Sequence, residues 1–204
     1  NLIFGSSGQD IASGSYNQQS SSVAYNQNHE KVFVCYETHV GSETDLYCNE
    51  IDLSDQGVSE AIIISSHENN QNNPFVYWSG QSFMIAWEDS RNTTTLNSGV
   101  DIYFQEYKDD ALSFPSGGQA ITTFTQKQER PIIEQYSGSS FVIIWEDYRS
   151  TGKEFCANLY GQSYYSPPCS ALGDLNGDDV FNILDIVALA NCVLAENCGD
   201  LPNA

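Results

Sequence analysis

The sequence is poor in basic residues: seven Lys and Arg stand against 27 Asp and Glu, and the formal net charge is −20 over 204 residues. Such a surface repels nucleic-acid phosphates and anionic lipid headgroups, and it attracts divalent cations. No apolar run approaches the roughly 20 residues that a membrane-spanning helix needs. We therefore expect no nucleic-acid partner and no membrane insertion. The start of the chain lacks a signal-peptide pattern, as expected of a mature secreted protein or a piece of a longer one.

Sequence motifs of common catalytic centres are also absent. The histidines His29, His39 and His67 form no H-x-x-x-H or H-E-x-x-H pair, which would place two ligands on one helix face. There is no G-x-S-x-G nucleophile elbow and no G-x-x-x-x-G-K-[ST] phosphate loop. These absences predict that the protein is not an enzyme and has no catalytic residues.

Cysteine is present in an even number, and none of the six cysteines belongs to a C-x-x-C pair of the kind found in zinc and redox sites. This pattern favours disulfide bonds over the alternative, buried free thiols, and disulfides imply an oxidising compartment. We expect a secreted protein, located outside the cell or at its surface. Pairing each cysteine with its neighbour in sequence suggests three bonds: Cys35–Cys48, Cys156–Cys169 and Cys192–Cys198. The sequence alone does not choose among the other possible pairings.

One sequence pattern recurs along the first part of the chain. Phe83–Arg91 and Phe141–Arg149 both read F-x-I-x-W-E-D-x-R, and Val32–Glu37 is a degenerate copy. A second short strand of the D-I-Y-x-Q type follows each copy after a polar loop: Asp45–Asn49, Asp101–Gln105 and Asn158–Gln162. Two such runs around a loop predict a β-hairpin. The sequence therefore predicts three antiparallel, hairpin-based repeats.

The flanks of these hairpins repeat as well. Leu112–Ile121 and Leu2–Ile11 share the pattern L-x-F-x-S-x-G-Q-x-I, and Gln71 and Gln128 both begin the pattern Q-x-x-P. A unit of this length accommodates four short strands, as in a β-propeller blade. The units resemble the W-E-D-x-R and D-I-Y-x-Q repeats of propeller-like secreted bacterial proteins. This resemblance implies a mainly β fold of three propeller-blade-like antiparallel repeats.

Three units are fewer than the about four to eight blades of an ordinary propeller ring, and the chain begins inside a unit. Three explanations remain open: upstream blades precede this chain, the units form an open β-stack, or units of neighbouring chains complete one another and cover exposed edges. In the third case the protein is a self-assembling surface component such as a filament subunit, with the strand around Leu2–Phe4 as the donor.

The adjacent Glu and Asp of each W-E-D-x-R copy do not resemble the acid and base of a glycosidase, because neighbours in a strand point to opposite faces. They recur with the repeat, which indicates structural roles. We expect the Trp to pack between units and the Asp–Arg pairs to fix turns, Asp89 with Arg91 and Asp147 with Arg149. Tyrosine-rich strands offer faces for sugar stacking, but aromatic residues favour strands in any case, and packing is the expectation.

The segment Asp174–Asp185 matches the calcium-binding loop of an EF-hand. Oxygen donors occupy positions 1, 3, 5, 7, 9 and 12 of the loop: Asp174, Asn176, Asp178, the backbone carbonyl of Val180, Asn182 and Asp185. A set of hard oxygen ligands without nitrogen or sulfur is the set that Ca²⁺ prefers. The sequence therefore predicts Ca²⁺ as the cofactor.

The loop also resembles one half of a type I dockerin, because D-x-N-x-D is followed by Asn at position 9 and by Asp, rather than Glu, at position 12. An apolar stripe over Asn182–Ala195 predicts the helix that follows such a loop. Two features depart from the family: Asp179 stands where glycine is usual, and one loop-helix unit is present instead of two. The resemblance implies a single calcium F-hand whose apolar helix face packs on another surface.

These patterns predict a β-repeat domain over residues 1–166 and a dockerin-like calcium loop-helix over residues 167–204. The first functional hypothesis is a non-enzymatic, extracellular structural or assembly protein of the bacterial surface, which binds calcium and associates with itself or with another surface protein. The alternative is a carbohydrate-binding or glycan-degradation accessory module that is tethered by the dockerin-like tail and has a glycan as its partner.

Overall fold

The computed structural model describes residues 6–93, 99–149 and 157–166, together with Val187 and Ala190. The chain divides into two units, Asn1–Tyr164 and Tyr165–Ala204. Within the described residues, no helix has the length and apolar character needed to cross a membrane.

The predicted calcium loop, Asp174–Asp185, lies outside the described residues. Of the helix predicted to follow it, Val187 and Ala190 are described, and both are helical. The calcium site and its dockerin-like arrangement therefore stay predictions.

The strands form three sheets. Sheet 1 contains β1 (Gln18–Asn26), β2 (Lys31–Val40), β3 (Glu43–Asp52) and β4 (Ile62–Ser65) in that order. Sheet 2 contains β5 (Gln71–Trp78), β6 (Phe83–Asp89), β7 (Asp101–Lys108) and β8 (Ala111–Leu112), and β9 (Gln119–Thr122) also pairs with β7. Sheet 3 contains β10 (Gln128–Ser137), β11 (Ser140–Asp147) and β12 (Asn158–Tyr165).

Pairing is antiparallel throughout sheets 1 and 2 and between β10 and β11. Each W-E-D-x-R copy forms the second strand of its sheet, and each D-I-Y-x-Q copy forms the third, as the hairpin prediction requires. The prediction of a mainly β chain built from three antiparallel repeats is confirmed.

The sheets pack face to face around two apolar cores. Phe83, Ile85 and Trp87 of β6 point into the core shared with sheet 1, whereas Met84 and Ala86 point into the core shared with sheet 3. This division follows from the two-residue period of a strand. All of β6 is buried, because both faces of sheet 2 are covered. Trp145 occupies the second core, so the predicted packing of the repeat Trp between units is confirmed.

A disulfide bond joins the two central strands of sheet 1. Cys35 and Cys48 are direct partners in the β2–β3 register, both side chains are buried, and their sulfur atoms are bonded. The first predicted pairing is confirmed, and the bond is compatible with an extracellular location. The other four cysteines lie outside the described residues.

Candidate functional site

A β-bulge interrupts the first strand of every sheet at the same place. The pairing register shifts between Gln19 and Ser22 in β1, and corresponding shifts occur in β5 and β10. The bulge residues are Ser20, Asn73 and Arg130, with φ values of 52°, 50° and 56°. Positive φ is uncommon for residues other than glycine. Its recurrence with three different side chains shows that the repeat imposes it.

The bulges of sheets 2 and 3 are each held by a carboxylate from the preceding sheet. Glu37 Oε1 accepts a hydrogen bond of 2.7 Å from the backbone N–H of Asn73. Glu88 Oε1 accepts one of 2.8 Å from the backbone N–H of Arg130. Glu146 occupies the corresponding position in sheet 3 and accepts a 3.0 Å bond from the Arg130 guanidinium of its own sheet. We call Glu37, Glu88 and Glu146 the carboxylate row.

Polar side chains that both donate and accept hydrogen bonds surround this row. Gln19 Nε2 donates to Glu37 Oε2 over 3.1 Å, and the Gln19, Asn73 and Arg130 side chains are exposed. Carboxylates, amides and a guanidinium together match the mixed donors and acceptors of sugar hydroxyl groups. The row and its neighbours are therefore chemically suited to contact a carbohydrate.

Glu88 differs from an ordinary surface carboxylate in its acid strength. Its residue is 6% exposed, and burial raises the pKa of its carboxyl. Hydrogen bonds from the Arg130 amide and the Asn73 side chain oppose the rise, while the charges of Glu129 and Glu37 add to it. A carboxyl that holds its proton to higher pH can act as an acid or a hydrogen-bond donor.

The Asp of each W-E-D-x-R copy forms a separate, structural cluster. Asp89 accepts a 2.8 Å bond from the Trp87 indole and 2.9 Å bonds from the Arg91 backbone and Nε. The Arg91 guanidinium also lies 3.9 Å from the centre of the Tyr103 ring. The predicted Asp–Arg pair that fixes the turn is therefore present.

The same cluster recurs in sheet 3. Asp147 accepts bonds of 2.9 Å from Trp145 and 2.8 Å from the Arg149 backbone. Burial by itself raises the pKa of Asp147, but the hydrogen bonds from Arg149 and Trp145 outweigh it and hold the pKa below its ordinary value. The second predicted Asp–Arg pair is also present.

Metal binding finds no support within the described part of the chain. No group of three or more His, Cys, Asp and Glu side chains that could hold a metal ion occurs among residues 6–93, 99–149 and 157–166. His67 Nε2 lies 3.3 Å from the Ser116 carbonyl. The predicted calcium ligands, Asp174, Asn176, Asp178, Val180, Asn182 and Asp185, lie outside the described residues.

Sequence reasoning missed the carboxylate row as a unit. A signal was present, because every repeat copy carries Glu at the same position and the Q-x-x-P pattern places the bulge residue directly before the proline. The pattern did not reveal that the Glu of one repeat bonds the bulge of the next, since that contact joins different sheets.

No known family model matches the chain, and no curated protein matches its sequence. One solved glycoside hydrolase shares its fold. The complex of the GH93 α-L-arabinofuranosidase of Fusarium graminearum with arabinobiose matches at a TM-score of 0.50 and 10% identity, over 68% of this chain and 42% of that one.

Two further structures match less closely. A structure named glycoside hydrolase and a complex of BT0996 with RGII each give a TM-score of 0.46, with 14% and 12% identity. Each alignment covers 74% of this chain and 53% of the other. The chain spans about half or less of the length of all three structures.

The similarity to the arabinofuranosidase shows the fold alone, because the identity is 10%. It still contradicts the prediction that the protein is not an enzyme, which was based on absent sequence motifs. The described region shares a propeller-like fold with part of that glycoside hydrolase.

Proposed function

We propose that the three-sheet region acts on glycans and that the carboxylate row is where it contacts them. The observation that carries this proposal is the Glu88 carboxyl, which has a raised pKa and lies among the exposed, hydrogen-bonding side chains of Asn73 and Arg130. The fold adds support, because a glycoside hydrolase solved with arabinobiose shares it. Arabinose-containing polysaccharides are therefore the first ligands to test.

The experiment combines binding and hydrolysis. The full chain is titrated with arabinan and with a panel of other plant and bacterial polysaccharides, and released sugars are measured in parallel. We expect binding or hydrolysis that falls at least tenfold in Glu88→Gln. Glu134→Gln is the matched control, because Glu134 is an exposed carboxylate on β10 outside the row, and it should leave the signal unchanged.

Two outcomes would contradict this function. One is the absence of both binding and hydrolysis across the panel for the native chain. The other is an equal loss in Glu88→Gln and Glu134→Gln, which would place the glycan contact elsewhere. Melting temperatures of both variants, measured alongside, separate a lost contact from a lost fold.

We also propose that Asp174–Asp185 binds Ca²⁺ through the six ligands given above, as one half of a dockerin does. The support is the sequence pattern of oxygen donors at alternate positions. Together with the Cys35–Cys48 bond, this loop favours a secreted protein that works outside the cell.

A further inference from the structure

The strand edge of sheet 3 differs from those of the other two sheets. In sheet 1, β4 pairs with β3 through Leu46 with Ser65 and Tyr47 with Ile63, and in sheet 2, β9 pairs with β7 in the same register with the same shift. Among the described residues, no strand pairs with the outer edge of β12. Leu159 of β12 is consequently 76% exposed, whereas Leu46 and Ile102, its counterparts, are fully buried.

The segment before sheet 1 has the sequence of an outer strand. Leu2–Ile11 shares L-x-F-x-S-x-G-Q-x-I with Leu112–Ile121, which contains β8 and β9 of sheet 2. Gly8 also has the backbone conformation of its counterpart, with φ of 75° against 70° at Gly118. The N-terminal segment is therefore related to an outer strand in sequence and, at Gly8, in backbone conformation.

The surroundings of Gly118 show why the outer strand has glycine at this position. A Cβ at Gly118 would lie 2.4 Å from the Phe104 carbonyl oxygen and 2.5 Å from the Trp87 ring, so the strand approaches the sheet as closely as a backbone can. A Cβ at Gly8 would meet nothing within 4 Å. The segment thus carries the glycine of a close approach, and among the described residues no sheet lies against it.

Sheet 3 presents the groups that such a strand contacts. Gly161 and Trp145, the counterparts of Phe104 and Trp87, line a cavity of about 500 Å³ together with Arg149, Tyr160 and Gln162. In sheet 2, the Gln105 amide holds the outer segment by donating to the Phe114 carbonyl over 3.0 Å and accepting from the Phe114 N–H over 2.9 Å.

Gln162 is the counterpart of Gln105. Its side-chain Nε2 donates a hydrogen bond to the backbone carbonyl of the adjacent Ser163 at the surface. Phe4 is the counterpart of Phe114. The glutamine that bonds the outer segment in sheet 2 is therefore repeated in sheet 3. The sequence that matches that outer segment lies at the opposite end of the β region.

The end of the N-terminal segment lies next to sheet 1 in the same way that the end of β9 lies next to sheet 3. Ile11 and Ala12 line a cavity with Tyr36, just as Ile121 and Thr122 line one with Trp145. Sheet 2 separates sheet 1 from sheet 3, so the segment of one chain lies on the far side from β12. A second copy of the chain can supply this segment to β12.

We propose that sheet 3 of one copy takes Gln9–Ala12 of a second copy as its fourth strand, so that sheet 1 of the second copy packs next to sheet 3 of the first. The expected antiparallel partners are Leu159 with Ala12, Tyr160 with Asp10 and Gly161 with Gln9, by the register of β7 and β9. Strand addition to an exposed edge gives affinity through backbone hydrogen bonds.

The carboxylate row supports the same contact independently of the strand. Glu37 and Glu88 each bond the bulge amide of the following sheet. Glu146 has the same position at the end of the row, with 28% of its side chain exposed, and Ser20 is the corresponding bulge residue of sheet 1. In the assembly, Glu146 accepts the Ser20 N–H of the second copy.

The test measures association of the full chain by sedimentation velocity over a wide concentration range. We expect dimers or larger assemblies of the native chain, weakened at least tenfold by Gly8→Ala, which combines an unfavourable φ with a steric clash. Gly41→Ala is the matched control, because Gly41 also has positive φ, at 67°, and a Cβ there meets nothing within 4 Å. This control should associate like the native chain.

Cross-linking identifies the strands. A copy with Asp10→Cys mixed with a copy with Tyr160→Cys should form a disulfide-linked pair under mild oxidation, and Asp10→Cys mixed with Glu134→Cys should not. A native chain that stays monomeric at all concentrations overturns the proposal. So does a chain carrying both Asp10→Cys and Tyr160→Cys that links within one copy at high dilution. Neither result depends on glycan binding.

Discussion

At the scale of single residues, the stability of the β region depends on carboxylates that are buried with their partners. The Asp89 side chain is fully buried, and its Oδ2 lies 2.6 Å from Arg91 Nη2. The Arg91 side chain is 15% exposed. By contrast, the Arg130 side chain of the Arg130–Glu146 pair is 73% exposed. Burial decides how much each pair contributes, because water screens an exposed charge.

Replacing the arginine of the buried pair should therefore destabilise the fold strongly. We expect Arg91→Ala to lower the free energy of unfolding by about 3–5 kcal/mol, since it leaves a buried carboxylate without its countercharge. Arg130→Ala, the control, should cost about 0–1 kcal/mol. Urea unfolding curves of both variants give these values, and equal losses would contradict the assignment.

The raised pKa of Glu88 predicts a contribution to the free energy of unfolding that falls as pH rises. A salt-bridged Asp with a lowered pKa has the opposite pH dependence. The folded state holds the Glu88 proton above the ordinary carboxyl pKa of 4.5, at which the unfolded chain releases it. Stability from this group is therefore present below pH 4.5 and declines as pH rises toward the folded pKa.

Glu88→Gln removes this titration. We expect the stability of Glu88→Gln relative to the native chain to rise between pH 4 and pH 7, as measured by urea unfolding at several pH values. Glu134→Gln provides the reference for an exposed carboxylate. A constant difference between Glu88→Gln and the native chain across this range would show that the carboxyl is not perturbed.

At the scale of elements, the hairpins were predictable because their signals are local. Short runs of β-branched and aromatic residues, as in Phe141–Trp145, and the loop after each W-E-D-x-R copy predict strand and turn without reference to distant parts of the chain. The Cys35–Cys48 pair was predictable because both residues lie in adjacent strands of one hairpin. The contact of Glu88 with the Arg130 amide was not, since it joins two sheets.

The disulfide should stabilise sheet 1 by limiting the unfolded chain. The bond spans a sequence separation of 13 residues, for which loop closure contributes about 3 kcal/mol. We expect the double variant Cys35→Ser/Cys48→Ser to have a free energy of unfolding that is lower by this amount, as measured by urea unfolding. A reducing agent should destabilise the native chain more than this double variant, and an equal effect on both would contradict a role for this bond.

The calcium proposal belongs to the C-terminal loop. Metal binding that accompanies folding raises the melting temperature of the folded unit. We expect EDTA to lower the melting temperature of the native chain, and Asp174→Ala or Asp185→Ala to do so without EDTA. Asp179→Gly is the control, because it restores the usual glycine of the loop and should keep calcium binding. Melting curves that coincide with and without chelator would exclude this site.

At the scale of the whole molecule, the net charge of −20 opposes association of two copies. Raising ionic strength from about 0.01 M to about 0.15 M shortens the screening length from about 30 Å to about 8 Å. We therefore expect the proposed assembly to strengthen with salt over this range, as followed by light scattering. Dissociation by added salt would indicate an interface held by opposite charges instead.

The molecule-scale predictions were the least secure from sequence. Repeats without recognised catalytic motifs suggested a non-enzymatic protein, but the fold is shared with a glycoside hydrolase. Function in such a fold depends on which side chains the strands bring together. Glu37, Glu88 and Glu146 share one position in their repeats, but the sequence does not show that Glu37 and Glu88 each bond the bulge of the next sheet.

The bulges have a further consequence for how this architecture can diversify. The joint between sheets uses the backbone N–H of the bulge residue, so its side chain contributes nothing to that bond. Ser20, Asn73 and Arg130 occupy the three positions accordingly, with a hydroxyl, an amide and a guanidinium. Each position can change its chemistry while the scaffold stays intact, and ligand preference can therefore evolve one sheet at a time.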